Sequence, residues 1–159
     1  MIGITHTLDS LQSPRGRLRA YRISDRVVEH MGYDRWKSTI GWAENDEEFA
    51  SQLEKYRQTM QAVVYTRHDS DEPLAMGLVI VENWSRRIAS FHGGGWNTPW
   101  DNYDCARLLV SAMKIAGWHI MTSVAIDNRR AQRFVTSLGM ERYRTVKGRY
   151  LYRFHECRH

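Results

Sequence analysis

The chain is poor in the features that mark disulfide, membrane or repeat proteins. Of its 159 residues only two are cysteine, Cys105 and Cys157. Two such cysteines give neither a disulfide framework nor a CxxC pair, and they fit a reducing cytoplasm, the expected compartment. No run of about 18 apolar residues occurs, so no transmembrane helix and no membrane partner are expected. Met1 to Arg15 lacks an apolar secretory core, so no signal peptide is read there. Internal repeats and low-complexity segments are also missing.

What is present points to one globular domain. The length suits a single core, and 42% apolar residues with six tryptophans can fill it. Residues 1–16 are polar and turn-rich and read as an N-terminal arm; residues 17–159 read as the domain. Net charge is +5, unevenly spread. Residues 129–159 hold nine Lys and Arg against Glu141 and Glu156, so this part carries +7 and the remainder is near −2. A one-sided basic surface suits an acidic protein face, nucleic acid or a phosphate-bearing cofactor. Ordinary solvated arginines would give the same composition.

The most informative stretch is residues 118–140. Ile120 to Ile126 is apolar and β-branched, as in a strand buried on both faces. Asp127-Asn128 ends it and supplies a helix cap. Ala131, Phe134, Val135 and Leu138 then recur at i, i+3, i+4 and i+7, one apolar helix face. Gly139 follows where a left-handed cap is wanted. The pattern is strand, turn, short helix and glycine stop.

The spacing Asn128-x-x-Ala131-x-x-Phe134-x-x-x-x-Gly139-Met140 resembles a signature of the GNAT acyltransferase superfamily. The order of predicted elements extends the resemblance over residues 18–154. Arg17 to Ile23 reads as a strand. Val27, Val28 and Met31 mark a helix ended by Gly32, and residues 33–44 are aromatic and ambiguous. Asn45 and Glu48 form a capping-box pair, followed by a helix face of Phe49, Leu53, Tyr56 and Met60. Strands are expected at Ala62–Thr66, Leu74–Val81 and Ser85–His92, with Gly77 at a bulge or close approach. Gly93-Gly94-Gly95 and Asn97 to Pro99 read as an irregular loop. Ala106, Leu109, Val110 and Met113 form a helix face stopped near Gly117. Arg142–Val146 and Arg149–Phe154 read as a hairpin turning at Lys147-Gly148. The fold class is α+β: a single-domain GNAT-like fold, a mixed, mostly antiparallel sheet flanked by helices.

The resemblance implies an acyltransferase that takes acetyl-CoA or another acyl-CoA as cofactor and an amine as acceptor. Its pyrophosphate turn, Arg/Gln-x-x-Gly-x-Gly/Ala, falls at Trp100 to Ala106. There Asp104 replaces the glycine and Asp101 the Arg/Gln, or Tyr103 and Trp100 do in the next register. Two carboxylates suit a helix start but repel a pyrophosphate. Gly93, Gly94 and Gly95 are a candidate substitute nest, and Phe91, Asn128 and Arg130 complete the cofactor-binding set. The family's leaving-group tyrosine falls at Val135, which cannot donate a proton. His92 and Glu82 are the titratable residues near the fourth strand and the candidate catalytic pair. Cys105, at a helix start, is either a lowered-pKa thiol or a buried structural one. The tail His155, Cys157 and His159 alternates as ligands on a strand would, but structural zinc wants a fourth ligand, and a frayed end is the simpler reading.

The hairpin register places Thr145 opposite Tyr150 and Tyr143 opposite Tyr152. It also sets Arg144 opposite Leu151 and Arg142 opposite Arg153. Opposed like charges cost stability unless an anion lies on that face, so Arg142, Arg144, Arg149 and Arg153 are candidate partner-binding residues. No DNA-reading element is recognised. A non-catalytic binding or assembly protein, of the small degenerate kind that phage and prophage genomes carry, is the alternative to the enzyme.

Overall fold

The computed structural model describes residues 12–21, 45–55, 59–70, 72–95 and 99–154. Within them the elements run β1 (Gly16–Tyr21), α1 (Asp46–Lys55), β2 (Met60–Arg67), β3 (Ala75–Asn83) and β4 (Ile88–Gly95). Then follow α2 (Pro99–Ile115), β5 (His119–Ala125), α3 (Arg129–Ser137), β6 (Met140–Val146) and β7 (Arg149–Phe154). The expected helix at Val27–Met31, the aromatic segment 33–44 and the tail 155–159 lie outside the described residues.

Local chemistry explains the element ends. The Asn45 side chain accepts from the Glu48 N–H at 2.8 Å, the expected cap of α1. Met60, expected on that helix face, is instead the first residue of β2, paired with Ile80. Asn128 caps α3, its Oδ1 accepting from the Ala131 N–H at 3.1 Å, and Gly139 follows with φ 93°. Lys147 and Gly148 both have positive φ, 47° and 76°. That backbone matches the right-handed twist of the flanking strands and gives the two-residue hairpin.

The seven strands form one sheet in the order β1-β2-β3-β4-β5-β7-β6. Every neighbouring pair is antiparallel except β4 and β5. Helix α2 lies across β1 to β5 and buries Cys105, Leu108, Leu109, Ala112 and Met113 against Val79, Ala89, Phe91 and Ile120. Helix α3 adds Val135, with Phe134 and Leu138 at its margin. β5 is therefore not buried on both faces: Ile120, Thr122 and Val124 are buried, and the alternate residues are half-exposed or exposed. The alternation is the period-2 pattern of a strand with one covered face.

One glycine expectation is met in its second form and another changes. Gly77 marks a close approach, and the bulge in β3 lies instead between Val81 and Asn83. The run Gly93-Gly94-Gly95 is not an irregular loop. It is the end of β4, paired with Gly77, Met76 and Ala75. Ladder hydrogen bonds to β3 override the low strand propensity of glycine. Extended, ladder-paired residues do not form the concave nest suggested by sequence, which needs alternating helical conformations.

Gly77→Ala tests the close approach. A Cβ there would stand 2.7 Å from Cδ2 of Leu109, which is 1% exposed and has no room to retreat. The variant is expected to lose about 1–3 kcal/mol of unfolding free energy in urea. An unchanged midpoint would mean that α2 sits further from the sheet.

Candidate active site

The single parallel pair creates an opening. β4 and β5 pair only at Ile88–His119, Ala89–Ile120 and Ser90–Met121. β4 then continues to Gly95 beside β3, and β5 to Ala125 beside β7. Past Ser90 the two strands diverge, leaving a wedge in the sheet. At its apex Thr122 Oγ1 donates to the Phe91 carbonyl at 2.7 Å, so a side chain replaces the next ladder bond. The missing ladder beyond is where an extended ligand would find backbone partners on β4.

Both strands leave the open end of the wedge for helices. α2 starts four residues after β4 ends, and α3 starts four after β5. Their N-termini thus lie beyond the carboxyl ends of two parallel strands, where open sheets bind ligands. Each presents a positive dipole end there; in α3 the Asn128 side chain already takes the Ala131 N–H and the Asp127 carbonyl the Arg129 N–H. Pro99, without an N–H, occupies the first position of α2. α3 has no acidic residue in its first turn and instead exposes Arg129 and Arg130. An ionic ligand bridging these ends would be anionic.

The two carboxylates that a linear reading sets against such a ligand are otherwise engaged. Asp101 is buried. Asp104 turns toward the first strands: its Oδ2 accepts from Ser13 Oγ at 2.6 Å and from the Tyr65 hydroxyl at 2.8 Å. Burial alone would raise its pKa, but these bonds and Arg107 outweigh burial and hold the carboxyl below its ordinary value. Tyr65 is pushed up to about 12, chiefly by burial, so it remains a donor. Asp104 thus clamps the arm before β1, β2 and α2 together. Cys105 is fully buried, and burial with the neighbouring Asp104 and Asp101 charges raises its thiol to about 12. It is a structural thiol, not a nucleophile.

Side chains along β4 alternate across the sheet. Ala89 and Phe91 face α2, so Ser90 and His92 face the other way. Glu82 is exposed, and its Oε1 accepts from Ser90 Oγ at 2.7 Å. His92 is lowered to about 4, first by burial and then by repulsion from Arg149. It is therefore neutral at pH 7. Gly93 returns to the α2 face, where among the described residues an added Cβ would meet only the Met76 carbonyl, at 3.7 Å. No close contact with the described residues demands glycine there, and the bare backbone allows another backbone or a ligand to approach. Gly94 and Gly95 complete the strand behind it. Val135 is buried in the core and offers no proton.

The arginine hairpin differs from its sequence register. A bulge between Arg142 and Arg144 leaves Tyr143 as the extra residue. Thr145–Tyr150 and Arg144–Leu151 pair as expected, but Arg142 faces Tyr152 and Arg153 faces Glu141. The expected clash of Arg142 with Arg153 is thereby replaced by an opposite-charge pair. The bulge also divides the arginines between faces. Arg142 stacks over Tyr150 at 4.3 Å on the helix side, and Arg153 over Tyr143 at 4.4 Å on the other. Arg142, Tyr143, Arg144, Thr145 and Tyr150 line an open groove of about 500 Å³. Arg149 leaves this group. Its Nε donates to Ser123 Oγ at 3.0 Å and an Nη to the Ser123 carbonyl at 3.1 Å, which brings it to the wedge beside His92.

Sequence reasoning missed Thr122, Ser123 and the Ser13–Tyr65–Asp104 clamp. Each depends on strand pairings or contacts between residues distant in the chain. No family model matches the chain, and no curated protein does. Solved structures do. FdhC, a nucleotide-linked sugar GNAT, is 15% identical with a TM-score of 0.69, covering 91% of this chain and 88% of its own. The GNAT domain of S. lividans PAT is 14% identical at 0.65, covering 87% and 89%. The dodecameric spermidine N-acetyltransferase from Vibrio cholerae is 17% identical at 0.58, covering 89% and 92%. This likeness shows that the chain has the GNAT fold.

The clamp has a pH signature. Because the folded-state pKa of Asp104 is depressed, its contribution is fully present above the ordinary carboxylate value of 3.8 and is lost as pH falls from there through the lower folded-state value. Wild-type melting temperature is expected to drop more steeply than that of Asp104→Asn from roughly pH 5 downward. Tyr65→Phe should cost about 1.5 kcal/mol at neutral pH. Parallel pH curves for wild type and Asp104→Asn would show that the clamp carries no stability.

Proposed function

We propose that the protein is an N-acyltransferase that binds an acyl-CoA in the wedge and transfers the acyl group to an amine. The observation that carries this reading is the three-residue β4–β5 pairing with both helix N-termini beyond its open end. The residues present fit the cofactor. The backbone N–H groups at the start of α2, with Arg130 at the start of α3, receive the pyrophosphate. Asp104 does not oppose it, being tied to Ser13 and Tyr65. β4 from Phe91 to Gly93 offers its backbone edge to the pantetheine amides, and Gly93 lets it approach. Asn128 serves by capping α3 and fixing where that helix begins. Thr122 closes the apex and sets how deep the chain of the ligand can enter.

When bound, acyl-CoA supplies an activated thioester: the amine nitrogen forms the new C–N bond, the C–S bond breaks, and the thiol leaves with the proton the nitrogen gives up. The protein contributes mainly position, because holding two reactants side by side removes much of the entropic barrier to their encounter. Neutral His92 holds the amine by a hydrogen bond. With Ser90 one step along the same face and Glu82 bonded to it, the way out for a proton runs toward solvent. His92, at about 4, is a weak base, and Val135 is no acid. The ambient amine equilibrium therefore governs the rate.

The stacked, exposed arginines of the hairpin favour a second reading, a binding or assembly role through an acidic partner. It predicts that Arg142→Glu with Arg144→Glu abolishes a partner interaction while acetyl-CoA binding is irrelevant.

Calorimetry with acetyl-CoA at low salt decides between them. Micromolar affinity is expected; none at millimolar concentration sinks the acyltransferase. In the active enzyme, the rate should rise with pH as the acceptor amine deprotonates, with no inflection near 6.5. His92→Ala should lower kcat roughly tenfold, below the usual general-base effect, and leave acetyl-CoA affinity unchanged.

A further inference from the structure

The phosphate-binding helix ends lie on the α2 face of the sheet, and the wedge passes through the sheet. A thioester entering from the α2 side therefore meets its acceptor on the opposite face, where His92 and Arg149 lie. We propose that Arg149 makes this acceptor site select amines that carry an anionic group, a carboxylate or a phosphate, rather than polyamines. The inference deepens the acyl-transfer reading and rests on it for the thioester's position.

Three observations support it. Arg149 is the first residue of β7, paired with Ala125 at the open end of the wedge. Its guanidinium is held on two sides by Ser123, through Nε and one Nη, so its orientation is set before any ligand arrives. The other Nη makes no hydrogen bond among the described residues, and the side chain is exposed. A fork half-held by the protein offers its remaining donors to an anion at low entropic cost. The charges facing this region on the described strands are Arg149, Arg144 and Arg153 against Glu82 and Glu141. Glu141 pairs with Arg153 across the hairpin, and Glu82 lies toward the closed end of the wedge, bonded to Ser90. The open end is therefore positive. A polyamine placed there would bring like charge against Arg149 in a partly dehydrated site.

The alternative use of Arg149, as part of a docking patch with Arg142 and Arg144, does not agree with the geometry. Arg142 lies on the opposite face of the hairpin, over Tyr150. Arg149 is turned inward across β7 to Ser123.

The test uses the full chain with glutamate, glucosamine 6-phosphate and spermidine as probes, in two measurements. In the first, acetyl transfer to each probe is followed in wild type, Arg149→Gln and Arg149→Lys. At least one anionic amine is expected to exceed spermidine by more than tenfold in kcat/KM. Arg149→Gln should erase the difference, mainly through KM, with Arg149→Lys intermediate and acetyl-CoA affinity unchanged in both. The carboxylate and phosphate arms show which anion is taken. Preference for spermidine, or a preference unmoved by Arg149→Gln, overturns the proposal.

The second measurement needs no turnover. The His92 ring signals are titrated by NMR with each probe alone. An anion on Arg149 should shift them and raise the pH at which the ring protonates, and Arg149→Gln should abolish both effects. If acetyl-CoA does not bind but the anionic probes still shift His92, the acyltransferase reading fails and the anion site stands. If no anionic probe perturbs His92 in wild type, with or without bound acetyl-CoA, the site proposal fails on its own.

Discussion

The short hydrogen-bonded stretch between β4 and β5 is the constraint on which the rest depends. Antiparallel neighbours can be joined by a hairpin, but a parallel pair needs a crossover, and here that crossover is α2. The crossover has to lie on one face, so it covers that face from β1 to β5. It also directs the N-terminus of α2 to the end of the sheet where the parallel strands stop pairing. Wedge, covering helix and dipole thus come from one topological choice. The close approach at Gly77 follows from the same packing, because a helix spanning five strands has to sit low on at least one of them.

Asp104 illustrates how a residue can be misread when its partner is far away in the chain. In a linear view it stands at a phosphate-binding turn and has the wrong charge. In the fold it points across α2 to a serine 91 residues earlier and a tyrosine 39 residues earlier. Its charge is met locally by these two hydroxyl donors and by Arg107 one turn along the helix. The carboxylate at this position serves the scaffold, tying α2 to the residues before β1 and to β2.

Much of the fold was legible because local signals agreed with tertiary ones. Asn128 and Gly139 bracket α3, Lys147-Gly148 makes its tight turn, and the apolar spacing of α2 is plain from Ala106 to Met113. Failures occurred where a local rule was overruled by pairing. Three successive glycines look like a loop until β3 is known to run beside them. A regular hairpin looks certain until the bulge at Tyr143 moves Arg142 to the other face. The site was less legible than the fold. His92 and Phe91 are neighbours on one strand and so could be grouped from the sequence, whereas Ser123 and Arg149 meet across a strand pair separated by 26 residues.

The sheet order carries a consequence for how the chain is made. β7 lies between β5 and β6, yet it is synthesised after both. Until residues 149–154 leave the ribosome, β5 has an unsatisfied edge and β6 has no strand to join. The last strand is thus a keystone, inserted between two elements already formed. A nascent chain stopped at the hairpin turn would show two open edges and lack Tyr152 from its core, a species prone to pair with its own kind. The segment that completes the sheet is also the one that brings Arg149 to the wedge, so a chain lacking β7 lacks both a closed sheet and that guanidinium.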